Sequence, residues 1–123
     1  PAGDAECVVD FKQLISRVVD EDLVEQIMPV CVDDNRQRLA MLTEAVNKND
    51  SENVKSYAHS VKGSAANMGA KGLSEPAGRL EQLASQGDLS HAKELLGRIR
   101  SEFDKLEAFV ANPNWMEIAK GMP

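Results

Sequence analysis

Apolar residues recur three and four apart through most of this 123-residue chain. Nowhere does the two-residue alternation of a half-buried strand persist over a useful length. Ala92, Leu95, Leu96, Ile99, Phe103, Leu106 and Val110 hold the helical spacing over several turns. Leu73, Ala77, Leu80, Leu83 and Ala84 repeat it, and Val54, Ala58, Val61, Ala65 and Met68 follow a 4, 3, 4, 3 rhythm. Nearer the N-terminus, Leu23, Val24, Ile27, Met28 and Cys31, then Leu39, Leu42, Ala45 and Val46, mark a long helical region from Asp20 or Glu21 to Asn47. Such helices are apolar along one stripe only and must bury it against one another. The expected fold is therefore all-α: an antiparallel four-helix bundle with an additional short N-terminal helix, capped by Asp10, whose apolar face is Phe11, Leu14, Ile15 and Val18.

Punctuation residues set the expected boundaries. Pro29 removes a backbone donor and crowds the preceding turn, which predicts a kink or a break near Gln26 to Pro29. Asn47 to Ser51 reads as a turn, with Asp50 capping a helix over about 51–67 that Gly69 ends. Pro76 is expected near the start of the next helix, where the first turn tolerates it, and Gly87 stops that helix. Asp88 or Ser90 is the expected cap of the last long helix, which Asn112, Pro113 and Asn114 break. This gives a leader or linker remnant at 1–9, one domain at 10–111 and a tail at 112–123. In the tail Trp115 either packs on the bundle through a helical turn or stays loose. The central helices, 33–47 and 51–67, form the hairpin that carries the site described next.

Composition narrows the function classes. Apolar residues make up 42% of the chain but aromatics only 4%, so the core rests on Leu, Val, Ile, Ala and Met. The formal charge of −6 argues against nucleic acid, which calls for a basic footprint, and against direct contact with an anionic membrane. Cys7 and Cys31 form no close-spaced metal or redox motif; Cys31 is expected as a reduced core thiol, which fits a cytoplasmic setting. No stretch of the given sequence reads as a signal peptide or as an apolar run of membrane-spanning length, which says nothing of a longer parent protein. The chain starts at Pro1, and a fragment of a longer protein is the expectation.

One of the two histidines stands in an unusual run, Tyr57 to Ala70, reading YAHSVKGSAANMGA. His59 is followed at i+3 by Lys62 and at i+4 by Gly63, so the three share a helix face. His59 lies two residues before Val61, about 200° around the helix, and so faces away from the apolar stripe. Its own face carries Glu52, Lys55, Ser56, Lys62, Gly63 and Ala66, all polar or small. Periodicity thus argues against a core histidine, and leaves a functional histidine and an idle exposed one as alternatives. Glycine inside a helix costs up to about 1 kcal/mol relative to alanine, which invites the functional reading. His91 sits beside Asp88 and Ser90 with no Lys-Gly after it and is expected to be exposed and structural. Asp33 and Asp34, one turn from Arg36 and Arg38, read as a solvated face.

The run from His59 to Ala70 resembles the active-site helix of histidine-containing phosphotransfer (HPt) domains. That pattern is a histidine, an apolar residue at i+2 (Val61), Lys-Gly at i+3 and i+4 (Lys62, Gly63), small residues, then an apolar residue and Gly (Met68, Gly69). The resemblance implies a four-helix bundle with an extra N-terminal helix, agreeing with the pattern reading over about residues 10–111. It implies a phosphorelay intermediate that accepts a phosphoryl group on His59 from an aspartyl-phosphate receiver domain and passes it to a response regulator. It also implies a divalent metal held by the partner receiver domain, with no cofactor in this chain.

A neutral imidazole offers a lone pair to phosphorus, and phosphoryl transfer asks mainly for positioning and charge compensation. Lys62 is placed to supply a cation to the phosphorylated product. Gly63 leaves room for the partner's loops. Ser64 either hydrogen-bonds nearby or is a small packing residue, and packing is the expectation. The face offers no carboxylate at i+3 or i+4 of His59 to activate water, which suits storage of phosphate. There is no P-loop, G-x-G-x-x-G or kinase signature, so the chain is expected to be a carrier without an ATP site of its own. The expected setting is a monomeric, cytoplasmic domain at the C-terminal end of a membrane-bound hybrid sensor kinase. Two rivals remain: a helical adaptor that docks receiver domains without being phosphorylated, and a histidine-ligated metal or haem bundle, for which paired ligand spacing is lacking.

Overall fold

The computed structural model describes residues 21–120, and five helices with short links occupy nearly all of that span. They are α1 (Glu21–Asn47), α2 (Ser51–Asn67), α3 (Lys71–Ser85), α4 (Ala92–Ala111) and α5 (Trp115–Lys120). No strand occurs among the described residues. The expected leader at 1–9 and the short helix capped by Asp10 lie outside them. Each of the four long helices packs on its chain neighbours, and α4 closes the ring on α1. Links of a few residues leave consecutive helices no option but to run antiparallel. No helix among the described residues is long and apolar enough to cross a membrane.

The stripes read from the sequence are the buried faces. Val54, Ala58, Val61, Ala65 and Met68 of the α2 stripe are each no more than 2% exposed. Leu80 on α3 and Ile99 on α4 are fully buried against them in one core. Burying a side chain of that size contributes about 1.5–3 kcal/mol. On α1 the stripe is shifted from expectation: Ile27 is 37% exposed and Cys31 only half-buried, while Val24, Met28, Val32 and Asn35 take the inner positions. Cys31 still packs at the edge of the core, and burial pushes its thiol pKa up. The acidic and basic residues near it form the expected exposed face. Asp34 pairs with Arg38 at 2.6 Å; Arg36 reaches Asp33, and Glu107 on α4.

Helix ends follow backbone chemistry closely. Asp50 caps α2 as expected, accepting from the Asn53 backbone N–H at 3.2 Å. Gly69 has φ 72° and the Ala70 N–H returns to the Ala65 carbonyl at 2.8 Å, the left-handed stop that glycine makes easy. Gly87 with φ 73° ends α3 in the same way, and Asn49 with φ 53° does so for α1.

Three boundary expectations are corrected. Of the kink or break expected at Pro29, the break does not occur: α1 runs through it. Pro29 and Glu25, four residues back, both lie on the exposed side, so the carbonyl that loses its partner faces water rather than the core. Pro76 is not in the first turn of α3 but in its second. It is fully buried there, and its apolar packing offsets the missing hydrogen bond. Asp88 and Ser90 do not cap α4, whose N-cap is His91 with no side-chain bond. Asp88 instead accepts from the Ser90 N–H at 3.0 Å and hydroxyl at 2.6 Å, holding the turn before the helix. In the tail, Trp115 packs: it is 4% exposed and meets Phe109 edge to face, ring centroids 6.3 Å apart.

Asp50→Ala should lower stability by about 0.5–2 kcal/mol, because the first turn of α2 loses its side-chain acceptor. Urea unfolding of the two proteins measures it; equal midpoints would mean that packing alone fixes the start of α2.

Candidate functional site

His59 projects from the middle of α2 with 66% of its side chain exposed. The stripe that turns inward at Ala58 and Val61 turns His59 outward, as expected. Its Nδ1 lies 2.8 Å from Oε2 of Glu81, a residue of α3. The other Glu81 oxygen, Oε1, lies 2.6 Å from Lys62 Nζ. One carboxylate, 19% exposed, is therefore shared between the imidazole and the ammonium. An ionised carboxylate only accepts, so the proton of the neutral imidazole belongs on Nδ1. Nε2 then keeps its lone pair on the exposed side of the ring.

Burial alone would raise the Glu81 carboxyl, but the hydrogen bonds from Lys62 and His59 outweigh it and hold the group below the usual carboxylate range. Glu81 stays ionised at neutral pH and keeps its accepting role. The expectation that no carboxylate serves this face holds only along α2. The neighbouring helix supplies one.

Glu81 was missed because spacing along a single helix does not reveal its neighbour. A hairpin argument finds it. His59 stands eight residues before the last residue of α2, and Glu81 ten after the first of α3. At 1.5 Å of rise per residue, these are about 12 and 15 Å from the turn. Two antiparallel helices thus bring them level.

The remaining predicted residues fall into two kinds. Gly63 is exposed, and a Cβ built on it would meet nothing within 4 Å, so packing does not require its missing side chain. Ser64 corrects the packing expectation. Its Oγ accepts from the Asn35 side-chain amide at 2.7 Å, and the same amide donates to the Cys31 carbonyl at 2.9 Å. Asn35 is 1% exposed, and a buried amide needs such partners. Ser64 thus links α2 to α1 below the histidine face. His91 is exposed at the N-cap of α4 with its Nδ1 3.7 Å from Glu94, beyond hydrogen-bond range. No group of three or more His, Cys, Asp or Glu side chains among the described residues is placed to hold a metal. An open groove lined by Glu52, Lys55, Ser56, His59 and Glu81 runs beside the imidazole.

The model of the family described as Hpt domain matches residues 26–109, about two thirds of the chain. Among solved structures the chain is similar to histidine-containing phosphotransfer protein B from Pseudomonas aeruginosa PAO1. The two share 27% sequence identity at a TM-score of 0.78, over 94% of this chain and 97% of that one. The search of curated proteins found no match.

The Glu81 carboxyl is lower in the folded protein than in the unfolded chain. Its contribution to stability is therefore fully present above the ordinary glutamate value of about 4.3 and is lost as pH falls through the lower folded value. Glu81→Gln keeps the shape and removes the titration. The variant should lose less stability than wild type on acidification from about pH 5 to pH 3. Urea midpoints across that range test it, and parallel curves would contradict the shared carboxylate.

Proposed function

This chain belongs to the Hpt domain family, with a phosphotransfer role in phosphorelays, and we propose that His59 is the residue that carries the phosphoryl group. The observation that carries the proposal is the Glu81 contact, which favours the proton on Nδ1 and so a lone pair on Nε2, in a side chain that is 66% exposed. The Nε2 lone pair attacks the phosphorus of an aspartyl phosphate on a receiver domain. The P–N bond forms as the bond from phosphorus to the aspartyl oxygen breaks, and the partner's carboxylate leaves. The ring gains positive charge as it gives up the lone pair, and the Nδ1–H bond to an ionised Glu81 stabilises it. Lys62 compensates Glu81, so the incoming phosphoryl group does not meet an uncovered carboxylate; the same ammonium lies one turn from the product.

Both Glu81 oxygens are engaged, one by the imidazole and one by the ammonium. Glu81 stands on the Nδ1 side of the ring and not beside Nε2, where water would attack, which suits a carrier that must keep its phosphate. In the forward direction the phosphoryl group comes from the receiver domain of a hybrid kinase and goes to a response regulator, at the cytoplasmic side of the membrane. The divalent metal belongs, in this proposal, to the receiver domain.

A receiver domain phosphorylated with labelled phosphate should pass label to the wild-type chain in an acid-labile, base-stable linkage. His59→Gln should take none and melt within a few degrees of wild type, since the replaced ring is mostly exposed. His91→Gln should accept normally. Label on His59→Gln would overturn the assignment. Receiver binding without transfer to the wild type would favour the adaptor.

Gly63→Gln separates stability from partner access. With open space at its Cβ and a better helix former in place of glycine, the variant should keep or raise the melting temperature. It should slow transfer at least roughly tenfold, because a displacement of about 1 Å in the reacting partners can cost a hundredfold. A thermal melt paired with transfer kinetics decides between loss of access and loss of fold.

A further inference from the structure

Gly78 lies in the interior of α3, with no turn or left-handed backbone to explain it. Glycine there costs up to about 1 kcal/mol relative to alanine. A Cβ built on Gly78 would come 3.1 Å from Cδ and 3.7 Å from Cγ of Lys62. Gly63 and Gly97, also inside helices, meet nothing within 4 Å. The Lys62 stem therefore crosses α3 over the bare backbone of Gly78, and its ammonium then reaches Glu81 Oε1 one turn further along at 2.6 Å.

We infer that Gly78 is a positioning residue for the histidine site: its missing side chain is the slot through which Lys62 reaches Glu81. A lysine stem has four rotatable bonds and strong hydration at its tip, so an ammonium held on one carboxylate oxygen needs a defined path. A side chain at 78 would occupy that path. A bulky one would push the Lys62 stem off α3, leaving Glu81 with His59 on one oxygen and no ammonium on the other. The consequence for phosphotransfer rests on the function proposed above; the slot itself does not.

The test uses four proteins: wild type, Lys62→Met, Gly78→Leu and the double variant. Their Glu81 carboxyl titrations are read by carbon-13 NMR in the unphosphorylated state. Lys62→Met should raise the Glu81 midpoint, because the hydrogen bond and charge that lower it are gone. Gly78→Leu should raise it in the same direction although no charge has been changed. In the double variant, Gly78→Leu should add nothing to Lys62→Met, since both act on one contact. Gly97→Ala, which improves a helix without touching the site, should leave the midpoint where it is. If Gly78→Leu does not fold, Gly78→Ala serves, with a smaller shift of the same sign.

An unmoved Glu81 midpoint in a folded Gly78 variant, or additive shifts in the double variant, would overturn the inference. So would an equal shift from Gly97→Ala. Transfer rates from a phosphorylated receiver should then fall by the same factor in Gly78→Leu and Lys62→Met, with no further loss in the double variant. Absence of label on the wild type would refute the proposed function while leaving the titration result standing.

Discussion

The close seam between α2 and α3 is the constraint on which the site depends. Three residues, Met68 to Ala70, join the two helices, and Gly69 adopts the left-handed conformation that reverses the chain. Along the seam Ala58 and Ala65 from α2 and Ala77 and Ala84 from α3 are all at most 4% exposed. Small side chains let two helix axes approach. Only at close range can a glutamate on one helix accept from both a histidine and a lysine on the other. The left-handed turn, the small residues and the shared carboxylate are thus one arrangement at three scales.

The two polar crossings that α2 makes to its neighbours differ in burial. Asn35 and Ser64 meet where α1 faces α2, and Asn35 is buried. The Asn35 amide nitrogen is matched locally, by Ser64 and by the Cys31 carbonyl, while its Oδ1 is buried without a partner among the described residues. The His59, Lys62 and Glu81 group stands at the rim, where charge keeps contact with water. Desolvation would disfavour three ionisable groups in the interior far more than the Coulomb gain would repay. α2 therefore makes a neutral link to α1 inside the bundle and a charged one to α3 at its rim.

Period and capping made much of this legible in the sequence. The α2 stripe, the Asp50 cap, the Gly69 and Gly87 stops and the outward direction of His59 all follow from local rules, and the structure has each of them. What local rules could not supply was the partner across a helix pair. Ser64 read as packing because its acceptor role needs Asn35, 29 residues earlier. Glu81 was invisible for the same reason, at a separation of 22. The break expected at Pro29 and the first-turn place expected for Pro76 differ from the structure for another reason. A proline rule concerns one missing donor, whereas continuity through Pro29 and Pro76 is decided by where the orphaned carbonyl faces and how much apolar surface the ring buries.

The charge balance at the rim sets a limit on what could replace Glu81. A neutral acceptor would still orient the imidazole, but it would leave the Lys62 ammonium without its counter-charge. A free carboxylate without Lys62 would orient the ring yet repel an arriving phosphoryl group. Glu81 and Lys62 set one anion against one cation beside the imidazole before a partner docks. The site presents a nucleophilic nitrogen on a face that neither repels an anion nor holds one permanently. On the role proposed for His59, a group that is received and then released calls for that balance: enough compensation to lower the barrier in both directions, and not enough to trap the product.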